Sequence, residues 1–461
     1  MNSDKRDNTS LTTAEMIDAV AKEVESIPKD QRRDFLKKGV SFSIGAAAAL
    51  SGAVSLNAKE KKEFPECKVD PKNLPPNIAE WGKHWGRDVN EYPYGQPSKY
   101  EKNVIRRIVP WLTADQKASV SFTPWQDLEG TIVPNGLHFV RCHGGVPDIN
   151  PKEWRLLIHG MVERPVILTL EDLKRYPSVT RKHFFECPAN SAMEARGPQL
   201  NSLQITHGML SASEYTGVEL KTILKDIGLK KGAKWMFSEG SDPASVGRSV
   251  PIEKVLDDAM LVYAMNGEAL RPENGYPVRL LLPGWEGVLQ TKWLRRLKFD
   301  DKAWWVREET TKYTELLPDG HAKMFNWVLE ANSVVTSPCP ERDWKGIKTP
   351  AMMKISGIAW SGKGKITHVD VTLDGGKSWH EATITSEILP KMITRFEFYF
   401  KWDGKPLLIG SRATDETGYT QPTQQQLLDA RGTEFIYHRN AIQIWEVKSN
   451  GEVNNVQIRR A

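Results

Sequence analysis

The sequence predicts an α+β protein, a mixed α/β domain followed by an immunoglobulin-like β-sandwich. Three observations carry this. From about residue 130 to about 320, apolar runs of strand length alternate with short helix patterns. After about Gly320 the helix pattern almost vanishes, and about seven strand-length runs succeed it, several parted by tight-turn residues (361–364, 374–376). The length, 461 residues, also exceeds what one ordinary core accommodates. The expected partition is a leader over 1–58, a first domain over 59–324 and the sandwich over 325–461.

Residues 1–30 are a polar extension, and 31–39 read QRRDFLKKG, succeeded by a soft apolar run over 40–56 and small residues. Basic, apolar and small regions in this order make a cleavable export signal, and the Arg32/Arg33 pair makes it a twin-arginine one. The run is too rich in Ala and Gly for a stable membrane span. Cleavage is expected near Ala53 or Ala58, with a periplasmic product. Residues 59–110, rich in Pro, Asn and charge, are expected to wrap the surface. Strands are predicted at 154–161, 182–186, 234–239, 259–265 and 278–282. Helices are predicted at 168–176 (capped by Thr169), 220–227 (stopped by Gly228) and 251–256. The polar, Gly-punctuated run 206–218 (THGMLSASEYTGV) reads as a loop, either a channel wall or a connector. In the sandwich, strands are predicted at 352–360, 366–373, 393–402 and 442–447, with one helix at 423–430.

Hydrophobic content of 39% with 16 tryptophans excludes wholesale disorder. The net charge is only +5, to which residues 1–58 contribute nothing, with eight basic and eight acidic side chains. Without a Lys/Arg tract, this excludes a nucleic-acid partner. Four cysteines (Cys67, Cys142, Cys187, Cys339) lie far apart, with no CxxC or zinc spacing. Cys67 and Cys339 read as small buried hydrophobes, a disulfide between them being the alternative.

Cys187 is the exception. It ends a strand-like run and precedes Pro188, which places a soft thiolate ligand at a strand's C-terminal edge. Arg141, at the end of a short strand entering a Gly-Gly-Val-Pro loop, can fork two hydrogen bonds onto an oxyanion. The ordinary alternative is a surface salt bridge. His143 lies on the same side of an extended segment, whereas Cys142 faces the other way and reads as packing. Arg279 and Lys292 flank a Gly-containing loop whose N–H groups suit a phosphate. Tyr313 sits where the first domain runs out, as a hydrogen-bonding phenol or a plain interface tyrosine.

These residues resemble the sulfite oxidase family of molybdenum enzymes. FVRCH (139–143) is similar to the family's FxRNH segment, and FECPAN (185–190) to its cysteine segment. MNGEALRPENGYPVRLLLPG (265–284), with Lys292 and Trp293, resembles its pterin-phosphate stretch. The runs 360–382, 412–422 and 438–447 resemble its dimerisation domain. Cys142 stands where the family has Asn, removing an amide, and Pro188 and Ala189 replace Ala-Gly, stiffening the loop. The resemblance implies molybdenum held by molybdopterin, with Cys187 as the metal ligand and Arg141 gripping an anion. Tyr313 falls at the active-site tyrosine. Phe139, Arg141, His143, Asp242, Asn274 (histidine in animal sulfite oxidases), Arg279, Gln290 and Lys292 map to cofactor contacts.

Within that family, 206–218 and 309–323 resemble the SoxC branch, the molybdenum subunits of sulfane dehydrogenases. That implies oxidation of a sulfane sulfur on a sulfur-carrier protein, with a separate c-type cytochrome subunit as acceptor, since the chain has no CxxCH haem motif. A homodimer or heterotetramer is implied. Sulfite dehydrogenase activity on free sulfite is the main rival. Reduction of an S-oxide or nitrate, and a metal-free binding or assembly protein, are the others.

Overall fold

The computed structural model describes residues 87–88, 91–113 and 115–458. The twin-arginine leader and Cys67 lie outside them. The chain divides into two units, Met1–Gln96 and Pro97–Ala461, and all the strands among the described residues belong to the second. Among the described residues no helix is long and apolar enough to cross a membrane.

Beside a three-stranded sheet (Arg107–Ile108, Val120–Phe122, Val140–Arg141) and a two-stranded one (Glu315–Leu316, Ala322–Lys323), two five-stranded sheets build the first half of that unit. One runs Glu268–Ala269, Met260–Met265, Leu210–Glu219, Val179–Glu186, all antiparallel, with Arg279–Leu281 also paired to Met260–Met265. The other runs Val166–Leu168, Leu156–Gly160, Leu294–Asp300, Trp235–Gly240, Gly247–Pro251. Only its Leu156–Gly160 and Leu294–Asp300 strands are parallel. Leu156, Ile158, Val218, Leu280, Leu297 and Phe299 join the two sheets in one apolar core. The helix Leu220–Ile227 buries Leu220, Ile223, Leu224 and Ile227, one face at helical spacing, and stops at Gly228, whose φ is 76°. Thr169 and Asp172 form a reciprocal capping box that starts the helix Leu170–Lys174. Leu168, expected inside that helix, instead ends the strand Val166–Leu168.

The largest correction falls on 206–218. Leu203–His207 is helical and Leu210–Glu219 is a ten-residue strand inside the sheet, paired to Val179–Glu186 on one side and Met260–Met265 on the other. Its serines look like loop residues, but Ser211 and Ser213 are buried and bonded. Ser211 Oγ lies 2.6 Å from Thr123 Oγ1 and accepts the Phe139 N–H at 3.0 Å. Hydrogen bonding removes the desolvation cost that would otherwise keep such residues at the surface.

The sandwich pairs a four-stranded sheet (Asn332–Ser337, Ala351–Trp360, Thr394–Trp402, Thr383–Ile384) with a five-stranded one (His380–Glu381, Ile366–Thr372, Leu407–Asp415, Ile444–Val447, Val453–Val456). Two-residue edge strands raise the number above the seven or so expected. Ile355, Ile358, Trp360, Val369, Phe396, Trp402 and Trp445 fill the space between the sheets. The same cluster takes in Phe184, Leu210 and Ala212 of the first half, so the sandwich packs directly against the strands that lead to Cys187. Gly284 and Gly362 let the two halves touch backbone to backbone. A Cβ on Gly362 would lie 2.0 Å from the Gly284 carbonyl oxygen.

Candidate active site

Val179–Glu186 delivers Cys187 to a tightly held turn. The Cys187 N–H donates to the Met209 carbonyl (3.0 Å), and the Cys187 carbonyl accepts the Asn190 N–H (2.9 Å). The C-terminal half grips the same turn: the His438 N–H donates to the Pro188 carbonyl (2.7 Å), and Ser191 Oγ donates to the Arg439 carbonyl (3.0 Å). Burial pushes the Cys187 thiol up to about 11, only partly offset by the Ala189 N–H and the Arg141 guanidinium. A thiolate here therefore needs a strong cation in place of its proton, which a bound metal supplies.

Arg141 ends the strand Val140–Arg141. Its Nη1 donates to the carbonyls of Ala118 (3.0 Å), Ser119 (3.2 Å) and Cys142 (2.6 Å). Three acceptors on one nitrogen lock the guanidinium plane in place. Beside it, His143 Nε2 lies 3.4 Å from Tyr313 Oη. Burial, helped by Arg141, Lys292 and other cations, pushes the His143 ring down to about 4. It is thus neutral at pH 7. Burial also raises the Tyr313 phenol, which stays protonated. Tyr313 has φ 58°, and its ring stacks on Tyr437 with centroids 5.0 Å apart.

The deep end of the cleft is cationic. Arg279 is buried, with Nη1 donating to the Asn274 carbonyl and Nη2 to the Gln290 carbonyl, each at 3.1 Å. Its guanidinium lies 4.4 Å from the centre of the Phe185 ring. Lys292 Nζ reaches the Arg141 carbonyl (3.1 Å), the Glu273 carbonyl (3.0 Å) and Cys142 Sγ (3.2 Å). Cys142, expected to face away, therefore lies against the cleft, with its sulfur in contact with the lysine. Burial raises the Asp242 carboxyl and lowers the Lys292 ammonium, and it lowers Arg279 to about 10.

Phe139, Arg141, His143, Cys187, Asp242, Asn274, Arg279, Gln290, Lys292 and Tyr313 all line this single cleft. They are spread over a wide span of chain, and the fold brings them together. The residues fit a molybdenum–molybdopterin group. Among the described residues, the buried Arg279 Nε and Asn274 Oδ1 find no hydrogen-bond partner, and no carboxylate acts on Arg279. A buried cation without a counter-anion is costly, and a phosphate supplies one. Among the described residues no group of three or more His, Cys, Asp or Glu side chains could hold a metal by itself. A lone thiol suits a metal whose remaining ligands come from an organic group.

Sequence reasoning missed several residues. His138 and Val246 also line the cleft; His138 adjoins the recognised segment and is pushed down to about 3 by burial. In the sequence His438 reads only as the start of a dimerisation stretch, and Tyr437 lies just before it. Arg248, Glu286 and Glu309, fully buried beneath Tyr313, carry no local signal, because they meet only across long sequence separations.

The family model for the oxidoreductase molybdopterin binding domain matches residues 143–305, and that for the Mo-co oxidoreductase dimerisation domain matches 323–445. The crystal structure of the sulfane dehydrogenase SoxCD from Paracoccus pantotrophus is similar at 49% identity and TM-score 0.81, covering 85% of this chain and 99% of that one. NADH nitrate reductases match more distantly. That of Solanum lycopersicum is 33% identical over 347 residues and that of Cichorium intybus 32% over 341, each match covering 64% of this chain and 36% of the relative. The chain thus spans about a third of the length of these curated relatives.

Proposed function

We propose a sulfur-oxidising function for this chain, which belongs to the sulfite oxidase family of molybdopterin oxidoreductases. Its cofactor is molybdenum held by molybdopterin. The proposed substrate is a sulfane sulfur carried on a protein thiol, and the proposed acceptor is a c-type cytochrome subunit taking electrons one at a time. Export by the twin-arginine leader would place the enzyme in the periplasm. The matched dimerisation domain supports a homodimer, or a heterotetramer with cytochrome subunits.

One observation carries the reading: a lone thiol, a clamped guanidinium and two further cations, the buried Arg279 and the half-buried Lys292, meet at one cleft. The choice of sulfane over sulfite is supported by the likeness to SoxCD over 85% of the chain.

When bound, the molybdenum centre supplies two-electron oxidation and oxygen-atom transfer, the oxygen coming from water. Cys187 is the protein ligand that holds the metal and tunes its potential. Arg141, fixed by three carbonyls, presents its remaining N–H groups to the negative charge that develops on sulfur–oxygen groups; a preset donor needs no reorganisation during the reaction. Tyr313 keeps its proton and is a hydrogen-bond donor at the same wall, with neutral His143 beside it. Arg279 and Lys292 hold the cofactor phosphate. Asn274, Gln290, Asp242 and Phe139 shape the space around it.

The test uses holoenzyme exported with Arg32 and Arg33 intact and a c-type cytochrome acceptor. Substrates are sulfite alone, thiosulfate with a sulfur-carrier protein, and nitrate with a reduced donor. Turnover that requires the carrier is the expected result. Fast oxidation of free sulfite would replace the reading with sulfite dehydrogenase, and nitrate turnover alone with nitrate reduction. A folded export product that lacks molybdenum and pterin would make the chain a binding or assembly protein.

A further inference from the structure

Against Tyr313 lies a buried charge cluster that the proposed mechanism does not use. Arg248, in the strand Gly247–Pro251, is fully buried. Its Nε donates to Glu309 Oε1 (3.1 Å), and its Nη2 is ion-paired with Glu286 Oε1 (2.9 Å). Glu309 Oε1 also accepts the Ser249 N–H (2.7 Å). The other oxygen of Glu286 lies 3.0 Å from His438 Nε2, and the His438 N–H holds the Pro188 carbonyl. The Arg248 guanidinium also sits 5.1 Å from the centre of the Tyr313 ring, which stacks on the ring of Tyr437 as well.

This arrangement is costly to build. Burying an arginine and two carboxylates needs near-complete pairing, and an apolar cluster of equal volume would often be as stable. Stability alone is thus a poor reason for it. What the cluster does possess is a branch point. One guanidinium touches the ring of Tyr313 and, through Glu286 and His438, the turn that carries Cys187. A cation over an aromatic face in a dry site contributes attraction and restricts the ring's orientation.

We propose that Arg248 is a positioning residue for the reaction, fixing the Tyr313 phenol and the Cys187 turn relative to one another. The proposal rests on the reading that Tyr313 and Cys187 serve the molybdenum centre, but not on which sulfur or nitrogen substrate is turned over. It makes Glu286, one residue before the cleft-lining Gly287, the link through which the C-terminal half enforces the geometry of the site.

The test compares Arg248→Met, Arg248→Lys and Glu286→Gln with the unmodified holoenzyme, using whichever donor the unmodified enzyme turns over. Molybdenum content, melting temperature, kcat and KM, and the electron paramagnetic resonance spectrum of the one-electron-reduced centre are measured together. In Arg248→Met, kcat per molybdenum is expected to fall about tenfold or more, with KM within about twofold, because a small misplacement of a reacting group is enough for that. The resonance signal is expected to shift, and Arg248→Lys to regain part of both. Glu286→Gln keeps the volume and is the safer variant if the arginine variants do not fold; it is expected to move the signal in the same direction. A lower melting temperature with unchanged kcat per molybdenum and an unchanged spectrum, in Arg248→Met or in Glu286→Gln, would show a purely structural cluster and overturn the proposal.

Discussion

In the sandwich, Trp360, Trp402, Trp445 and Phe396 fill the space between two sheets. In the cofactor half, the largest fully buried side chains include Arg248 and Arg279. Both halves bury their interiors, but with different chemistry. An apolar core asks only that hydrophobic residues recur at the right period, because the hydrophobic effect has no direction. A buried charge asks for a particular partner at a particular distance. Arg248 finds Glu286 and Glu309 within the fold. Among the described residues no carboxylate acts on Arg279, which fits a ligand phosphate as its counter-anion. The apolar filling of the sandwich therefore asks for nothing further, whereas Arg279 in the cleft is matched only when a ligand anion arrives.

The largest expected effect tests the thiol on which that completion depends. Cys187→Ser should abolish turnover and change the optical spectrum of the loaded enzyme; an unchanged spectrum with normal rates would detach the site from the metal. Next, Arg141→Met should lower kcat/KM by about 10²–10³-fold, by raising KM and lowering kcat, with molybdenum content intact. Normal turnover would remove Arg141 from the mechanism.

The third effect is a pH dependence confined to the cofactor half. Burial holds His138 and His207 down at about 3, and His143 and His183 at about 4. Between an unfolded value near 6.5 and these native values, the unfolded chain binds more protons than the native one. These rings therefore lower stability as pH drops through that window, while Glu186, which burial raises to about 7, acts in the opposite sense over its upper part. Denaturant titrations at about pH 7, 5.5 and 4.5 are expected to show a net loss; a rise in stability toward pH 4.5 would mean these rings are not buried in neutral form.

The smallest effect falls where the halves meet. Gly362→Ala places a Cβ 2.0 Å from the Gly284 carbonyl oxygen and should cost about 1–3 kcal/mol of stability. A melting curve reports it, and no loss would mean the halves slide freely past each other.

The same contrast explains which elements are legible along the chain. The sandwich strands Ala351–Trp360, Ile366–Thr372 and Thr394–Trp402 lie within a residue or so of expectation, because alternation of apolar residues is a local signal. Leu220–Ile227 is legible for the same reason. The strand Leu210–Glu219 is not, since its buried serines look solvated until their partners Thr123 and Asn266 are known. All the expected site residues line the cleft, yet motif resemblance, not spacing, selects most of them. The expectation that Cys142 faces away fails because strand alternation does not extend past the point where the strand Val140–Arg141 ends.

By itself, then, the sequence determined the two-part architecture, the lone metal-type thiol and the segments carrying cationic and anion-gripping residues, because composition, period and short motifs are written along the chain. The tertiary structure alone decided that these segments enclose one cleft, and that a buried arginine ties Tyr313 to the Cys187 turn. It also decided that the C-terminal half holds that turn from outside. Those facts depend on contacts between residues far apart in sequence, and only the folded chain brings such residues within a few ångströms of one another.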